Sequence, residues 1–268
     1  MKLKVGFLQF RPEFGKIKEN TDFIVSELEK HEFDIAVLPE LCSTGYLFEN
    51  SKQASELAED ENGYFAKSLL KLAEKKNCLI AGGFCEKGKD KPYNSQILVS
   101  EKGILSIYRK AHLFYKEKEI FEKGNTPFKA VGSGKGYKVG LMICFDWIYP
   151  EAMRSLALDG AEVILHSSNL VLPYCQKAMF ARALENRVFI ITANRFGKET
   201  NSKGEAVEFT GQSQIMSPNG EVLLTVGRTT TGFYSVEIDL SLTDKQMNQL
   251  NNLFADRRRE LYKELYRK

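Results

Sequence analysis

Apolar and polar positions along this chain change period repeatedly. Lys2–Gln9 alternates around an apolar strand, and residues 20–30 then place Phe23, Ile24 and Leu28 on one helical face. Residues 34–38 (DIAVL) form a short buried strand that stops at Pro39. Residues 55–76 are broken by Gly63, and the part from Tyr64 onward has the spacing of an amphipathic helix. Residues 78–84 read as a strand; 95–100 and 104–109 flank a Lys102-Gly103 turn and read as a hairpin. Lys138–Ile143 is a strand, and residues 151–158 a helix with Pro150 in its first turn and Gly160 past its end. Strand, helix and strand follow at 161–166, 176–186 and 188–193. Residues 212–216 and 221–226 are joined by the turn Ser217-Pro218-Asn219-Gly220, and 233–238 is a further strand. Residues 243–266 read as a charged amphipathic helix. The alternation predicts one α/β domain over residues 1–268, its sheet faces covered by helices or by a second sheet.

Composition narrows this picture. The 268 residues can bury a sizeable core. With 38 basic and 35 acidic residues the net charge is +3, so nothing electrostatic points to nucleic acid or membrane as the main partner. The apolar run at the N-terminus is too short for a signal peptide, and no stretch reaches membrane-spanning length. The five cysteines, Cys42, Cys78, Cys85, Cys144 and Cys175, are odd in number and lack metal-ligand spacing. A reducing, cytoplasmic compartment is expected, with no metal and no organic cofactor.

Three polar residues stand just past the ends of apolar strands: Glu40 after DIAVLP, Lys110 after ILSIYR, and Cys144 after KVGLMI. Sites in open α/β sheets form outside such ends. A thiolate is a good nucleophile, a carboxylate can take the thiol proton, and a lysine can hold a negative oxygen. Each residue alone has a plainer reading: a buried thiol, a turn-capping acid, a solvated charge.

Here the residues carry a resemblance. The segments at 38–46 (LPELCSTGY), 108–114 (YRKAHLF) and 140–147 (GLMICFDW) resemble the three signature blocks of the nitrilase superfamily, in the same order. Residues 117–125 (EKEIFEKGN), 182–186 (RALEN) and 256–262 (DRRRELY) resemble further family segments. The resemblance implies an αββα sandwich and a Glu40, Lys110, Cys144 triad. It also implies a second glutamate, mapped to Glu117, although Glu119 lies two residues on. The run from Cys144 to Glu151 looks closest to the branch containing archaeal aliphatic nitrilases and related amidases. The reaction implied is hydrolysis of an amide through a cysteine thioester. A nitrilase is the alternative, with an N-carbamoyl hydrolase or a silent binding protein behind it. The implied partners are a small amide or nitrile and a second copy of the chain, with residues 243–268 at a dimer interface.

A papain-like pairing of cysteine and histidine would have to use His31, His112 or His166. For substrate contacts, Tyr46, Phe145, Trp147 and Asn169 lie near the motif blocks or past a strand end, and Tyr174 sits in the same loop region as Asn169. Core packing is the competing reading for Trp147. Arg195 follows another strand end, where it can bind a carboxylate or pair with a structural acid.

Overall fold

The computed structural model describes residues 1–266; residues 267–268, the end of the expected tail, lie outside the described residues. In chain order the elements are β1 (Lys2–Gln9), α1 (Ile17–Glu29), β2 (Ile35–Val37), α2 (Ser51–Glu56) and α3 (Tyr64–Lys76). Next come β3 (Leu79–Glu86), β4 (Tyr93–Ser100), β5 (Gly103–Arg109), α4 (Glu117–Ile120), β6 (Val131–Gly132) and β7 (Lys138–Ile143). Then follow α5 (Pro150–Leu158), β8 (Val163–Ser168), α6 (Cys175–Asn186) and β9 (Phe189–Asn194). The last strands are β10 (Phe196–Thr200), β11 (Ala206–Thr210), β12 (Gln214–Met216), β13 (Val222–Thr225) and β14 (Gly232–Asp239).

Two six-stranded sheets form, ordered β14-β1-β2-β3-β4-β5 and β13-β12-β9-β8-β7-β6. At the centre of each, strands run parallel: β1, β2 and β3 in the first sheet, β7, β8 and β9 in the second. Parallel neighbours need crossovers, and α3, α5 and α6 are among those connections. Side chains alternate across each strand. Val5, Phe7, Ile35 and Val37 of the first sheet share a core with Leu141, Ile143 and Leu165 of the second. On the other face of the first sheet, Leu8, Ala36 and Ile80 pack with Ile24, Leu28 and Leu69 of α1 and α3. Met142, Ile164 and Ile190 join Met153, Leu156 and Met179 of α5 and α6. This is the expected αββα sandwich.

Polar ties cross between the sheets near the site. Ser167 Oγ donates to the Leu38 carbonyl at 2.7 Å, and Gln96 Nε2 donates to Ser167 Oγ at 2.8 Å and to the Leu165 carbonyl at 3.1 Å. They hold the ends of β2, β4 and β8 in fixed relation.

Three regions depart from the pattern read in the sequence. α2 begins before residue 55, because the Asn50 side chain accepts the Gln53 N–H at 3.0 Å and caps a short helix there. β10 and β11 form a separate hairpin that the apolar pattern did not show, since Lys198, Glu199 and Glu208 interrupt it. The tail is not an α-helix. It forms 3-10 turns at Leu240–Thr243, Arg259–Leu261 and Lys263–Tyr266, joined by irregular chain. Asn248 Oδ1 accepts the N–H groups of Leu250 and Asn251, and Asn252 Oδ1 those of Phe254 and Ala255. Such side-chain bonds compete with helical ones. Leu250, 88% exposed, and Leu261, 65% exposed, also have little surface to pack against, and in proteins most helical stability comes from such packing. Among the described residues no helix is long and apolar enough to cross a membrane.

Candidate active site

Glu40 is placed by the backbone of β3. Leu38 N–H donates to the Ala81 carbonyl at 2.8 Å, Gly83 N–H to that of Pro39 at 3.1 Å, and Cys42 N–H to that of Gly83 at 2.9 Å. A Cβ on Gly83 would sit 2.5 Å from Glu40 Cα and from Leu41 N, so only glycine permits this approach. Lys110 leaves β5 with its N–H on the Asn94 carbonyl at 2.8 Å, and its own carbonyl accepts Gly124 N–H at 3.0 Å. Both side chains are fully buried.

The Lys110 ammonium joins two carboxylates. It lies 2.6 Å from Glu40 Oε1 and 2.8 Å from the Glu117 carboxylate. Asn94 Nδ2 donates a second bond to Glu40 Oε1 at 2.7 Å. Glu40 Oε2 is buried and finds no hydrogen-bond partner among the described residues. Glu117, the first residue of α4, also accepts Tyr46 O–H at 2.7 Å and Phe114 N–H at 3.0 Å. Of the two glutamates considered, Glu117 is the one that meets Lys110. Glu119 is exposed on the same short helix.

Cys144 follows β7 and begins a 3-10 turn, Cys144–Ile148. Its φ of 38° lies in the left-handed region, unfavourable for a residue with a Cβ. Asp146 braces the turn: its carboxylate accepts Ile143 N–H at 3.0 Å and Tyr108 O–H at 2.7 Å, and stands 2.7 Å from His112 Nδ1. The Asn169 backbone N–H points to the Cys144 sulfur.

The electrostatics follow from burial. Desolvation, with the Glu40 carboxylate beside it, pushes the Cys144 thiol well above its ordinary range, and Lys110 pulls the other way. Burial likewise raises Glu40 against the opposing pull of Lys110. Burial works against the Lys110 charge, but Glu117, Glu40 and Cys144 outweigh it and keep the lysine protonated. The surroundings thus favour a neutral Cys144 thiol and a protonated Lys110, with one Glu40 oxygen lacking a partner among the described residues.

The histidines are engaged elsewhere. His166 Nε2 lies 3.0 Å from the Cys144 backbone carbonyl, not on the thiol, and burial lowers its pKa to about 4. His112 belongs to the Asp146 brace, and the His31 ring packs tilted against Phe233. The structure therefore gives a papain-like pairing no support.

A cavity of about 630 Å³ opens on Glu117 and is lined also by Tyr46, Phe114, Tyr115, Val171 and Val207. Of the residues expected to touch substrate, Tyr46 borders this cavity, and Phe145 packs its ring on Phe114 at 5.0 Å. Asn169 is buried beside Cys144, and neither atom of its side-chain amide has a partner among the described residues. Trp147 instead packs in the core with α5 and α6. Tyr174 is 60% exposed. Asn94 and Asp146 escaped the sequence reading. Asp146 lay within a quoted block, but its role needs Tyr108 and His112 in place.

The family model for carbon-nitrogen hydrolases matches residues 9–246. The chain belongs to the carbon–nitrogen hydrolase family. This carbon–nitrogen hydrolase is 42% identical to a nitrilase of Pyrococcus abyssi over 265 residues, covering 97% of this chain and 99% of that one. It is 34% identical to the 2-oxoglutaramate amidase of Bacillus subtilis, covering 98% and 100% of the two chains. Among solved structures, a carbon–nitrogen hydrolase from Helicobacter pylori G27 superposes with a TM-score of 0.87 at 26% identity, covering 100% of this chain and 99% of that chain. The chain is therefore a nitrilase-superfamily enzyme, and its buried Cys144 at the strand–turn junction is consistent with a catalytic cysteine.

Proposed function

We propose that the enzyme is an amidase in which Cys144 is the nucleophile, Glu40 the general base and Lys110 the oxyanion cation. The observation that carries this reading is the buried Lys110 bridging Glu40 and Glu117 beside a thiol held at positive φ. Glu40 takes the thiol proton as sulfur attacks the amide carbon. Lys110 and the Phe145 backbone N–H hold the resulting oxyanion. Glu40 returns the proton to nitrogen, ammonia leaves and a thioester remains on Cys144. Glu40 then deprotonates water, which attacks the thioester and releases the acid and the thiol. Glu117 orients Lys110. Tyr46, Phe145 and the Asn169 amide, which has no partner among the described residues, contact the substrate.

A nitrile would follow the same course through a thioimidate, and the 42% identical relative named as a nitrilase favours this second reading. A product-resolved panel of amides, ω-amides, N-carbamoyl compounds and nitriles separates the two. Acid and ammonia from amides but not from nitriles supports the amidase. Turnover of nitriles alone overturns it.

Glu40 must be ionised to act, and burial raises its pKa. Activity should therefore fall as pH drops, with the midpoint of kcat/KM above the ~4.3 of an ordinary glutamate. That midpoint belongs to Glu40 and Lys110 together. An acid limb at or below the ordinary value would contradict the assignment.

We further propose that the chain works as a homodimer in a reducing cytoplasm. Ile148, Leu158, Phe180 and Leu184 are exposed on or beside α5 and α6, a sizeable apolar surface. The tail adjoins it, with Phe254 beneath the Arg154 guanidinium at 5.1 Å. Sedimentation at micromolar concentration should give a dimer that Phe180→Glu converts to monomer; a monomeric parent protein would sink this proposal. All five cysteines are free and buried. A disulfide in protein isolated from its own cells would refute the compartment.

A further inference from the structure

A second buried ion pair stands behind the site. Arg195, just past β9, is 1% exposed, and Glu199 on β10 is 7% exposed. Arg195 Nη1 donates to Glu199 Oε2 at 2.5 Å. The other carboxylate oxygen, Oε1, accepts two backbone N–H groups of the segment after Glu40, from Tyr46 at 2.9 Å and Leu47 at 2.5 Å. Gly45, at φ +82°, makes this approach possible: a Cβ there would lie 2.9 Å from Phe14 Cα and 3.3 Å from Glu199 Oε2. The Arg195 guanidinium also stacks on Phe209 at 4.2 Å, and Phe209 meets the Tyr46 ring edge-on at 5.6 Å.

Tyr46 leads back to the site. Its hydroxyl donates to Glu117 Oε1 at 2.7 Å, and Glu117 accepts from Lys110. An unbroken set of contacts thus runs from Arg195 through Glu199, the Tyr46 backbone, the Tyr46 hydroxyl and Glu117 to the Lys110 ammonium. Burying an arginine and a glutamate carries a desolvation cost that a surface pair avoids. What this pair does with its position is hold the Tyr46 backbone from one side while Phe209 holds the ring from the other.

We infer that Arg195 and Glu199 are positioning residues: they fix Tyr46, and through it the Glu117 carboxylate that aims Lys110. Among the described residues no hydrogen bond joins Glu199 to the Cys144 sulfur or to Lys110; its route to Lys110 by contact runs through Tyr46. The hairpin β10–β11, which also supplies Val207 to the cavity wall, then belongs to the site although it lies outside both main sheets.

The inference rests on the triad reading, and the test keeps the two apart. A double-mutant cycle on the full-length enzyme would use Tyr46→Phe, Glu199→Ala and their combination, with Glu199→Gln as the conservative variant. The readouts are kcat and KM on the amide found active, and the pH dependence of Cys144 alkylation by iodoacetamide followed by mass spectrometry. Misplacing a group remote from the chemistry can cost about 10²-fold, and Glu199→Ala is expected to lower kcat by ~10- to 10²-fold with a smaller change in KM. Glu199→Gln, whose amide oxygen still accepts both N–H groups, should recover most of that. The combined variant should be no worse than the weaker of the two single variants. Losses that multiply in the combination, or a Glu199→Ala enzyme with parental kcat and alkylation profile, would overturn the inference. Should Glu199→Ala fail to fold, Glu199→Asp, which keeps the charge but shortens the reach to the Tyr46 and Leu47 N–H groups, replaces it in the cycle with Tyr46→Phe. If Cys144 of the parent enzyme labels no faster than the other cysteines, it is the triad reading that fails. With Cys144 reactive, the cycle alone decides the clamp.

Discussion

Cys144→Ala should eliminate turnover, with a loss on the order of 10⁴- to 10⁶-fold, as when the nucleophile of a triad is removed. The reason lies in how the site is arranged at rest. Its thiol is neutral, because burial and the Glu40 carboxylate both oppose the thiolate. Cys42, though close to Glu40 in sequence, is buried with its thiol on the Gly83 carbonyl at 3.3 Å. Burial also holds the Cys42 thiol far above its ordinary range, so it does not substitute. The fold should survive, since alanine removes one sulfur and leaves the Asp146 brace intact. Thermal melting and circular dichroism would check the fold, and a coupled ammonia assay the activity. A folded Cys144→Ala enzyme retaining more than a few per cent of activity would falsify the nucleophile assignment.

The second large effect is expected from Lys110→Met, on stability as well as rate. Methionine fills much of the lysine volume but removes the charge between Glu40 and Glu117. Breaking one side of a buried ion pair typically costs about 3–5 kcal/mol, because the remaining charge is left without a partner. Losing an oxyanion donor adds a rate loss of ~10²–10³. The pH dependence has a definite sign. Two facing carboxylates without a cation hold protons more tightly folded than unfolded. Stability of the variant is therefore greatest below the ordinary carboxylate range and is lost as pH rises through the raised folded-state value. Urea denaturation at pH 5 and pH 8 should show the variant closer to the parent at the lower pH. Equal stability of parent and variant at both values would mean that Lys110 does not bridge the carboxylates.

Much of the fold was legible because burial writes itself into apolar spacing. The parallel strands at the centre of each sheet are covered on both faces, so DIAVL and KVGLMI stand out as uninterrupted apolar runs. Glu40 and Cys144 were visible for the same reason: a polar residue at the end of such a run must have a use for the sheet edge. The hairpin β10–β11 was not visible, because Arg195 and Glu199 satisfy each other's charge in the interior and look like surface residues in one dimension. The tail misled in the opposite sense. Its helical periodicity is real, but periodicity stabilises a helix only against a surface, and its asparagine side chains bond the backbone N–H groups instead.

By itself, then, the sequence determined the α/β class, the strand ends that carry Glu40, Lys110 and Cys144, and through its motif blocks the family. These are local properties: apolar runs, turn residues, and short segments whose order along the chain is preserved. Only the tertiary structure decided that Lys110 is shared between Glu40 and Glu117, that Glu40 keeps one oxygen free, that Trp147 packs in the core, and that Arg195 meets Glu199 rather than a substrate. Those outcomes depend on which distant segments meet. Pairings such as Glu40 with Lys110, seventy residues apart, are settled by the strand order β2-β3-β4-β5 within one sheet and not by any spacing along the chain.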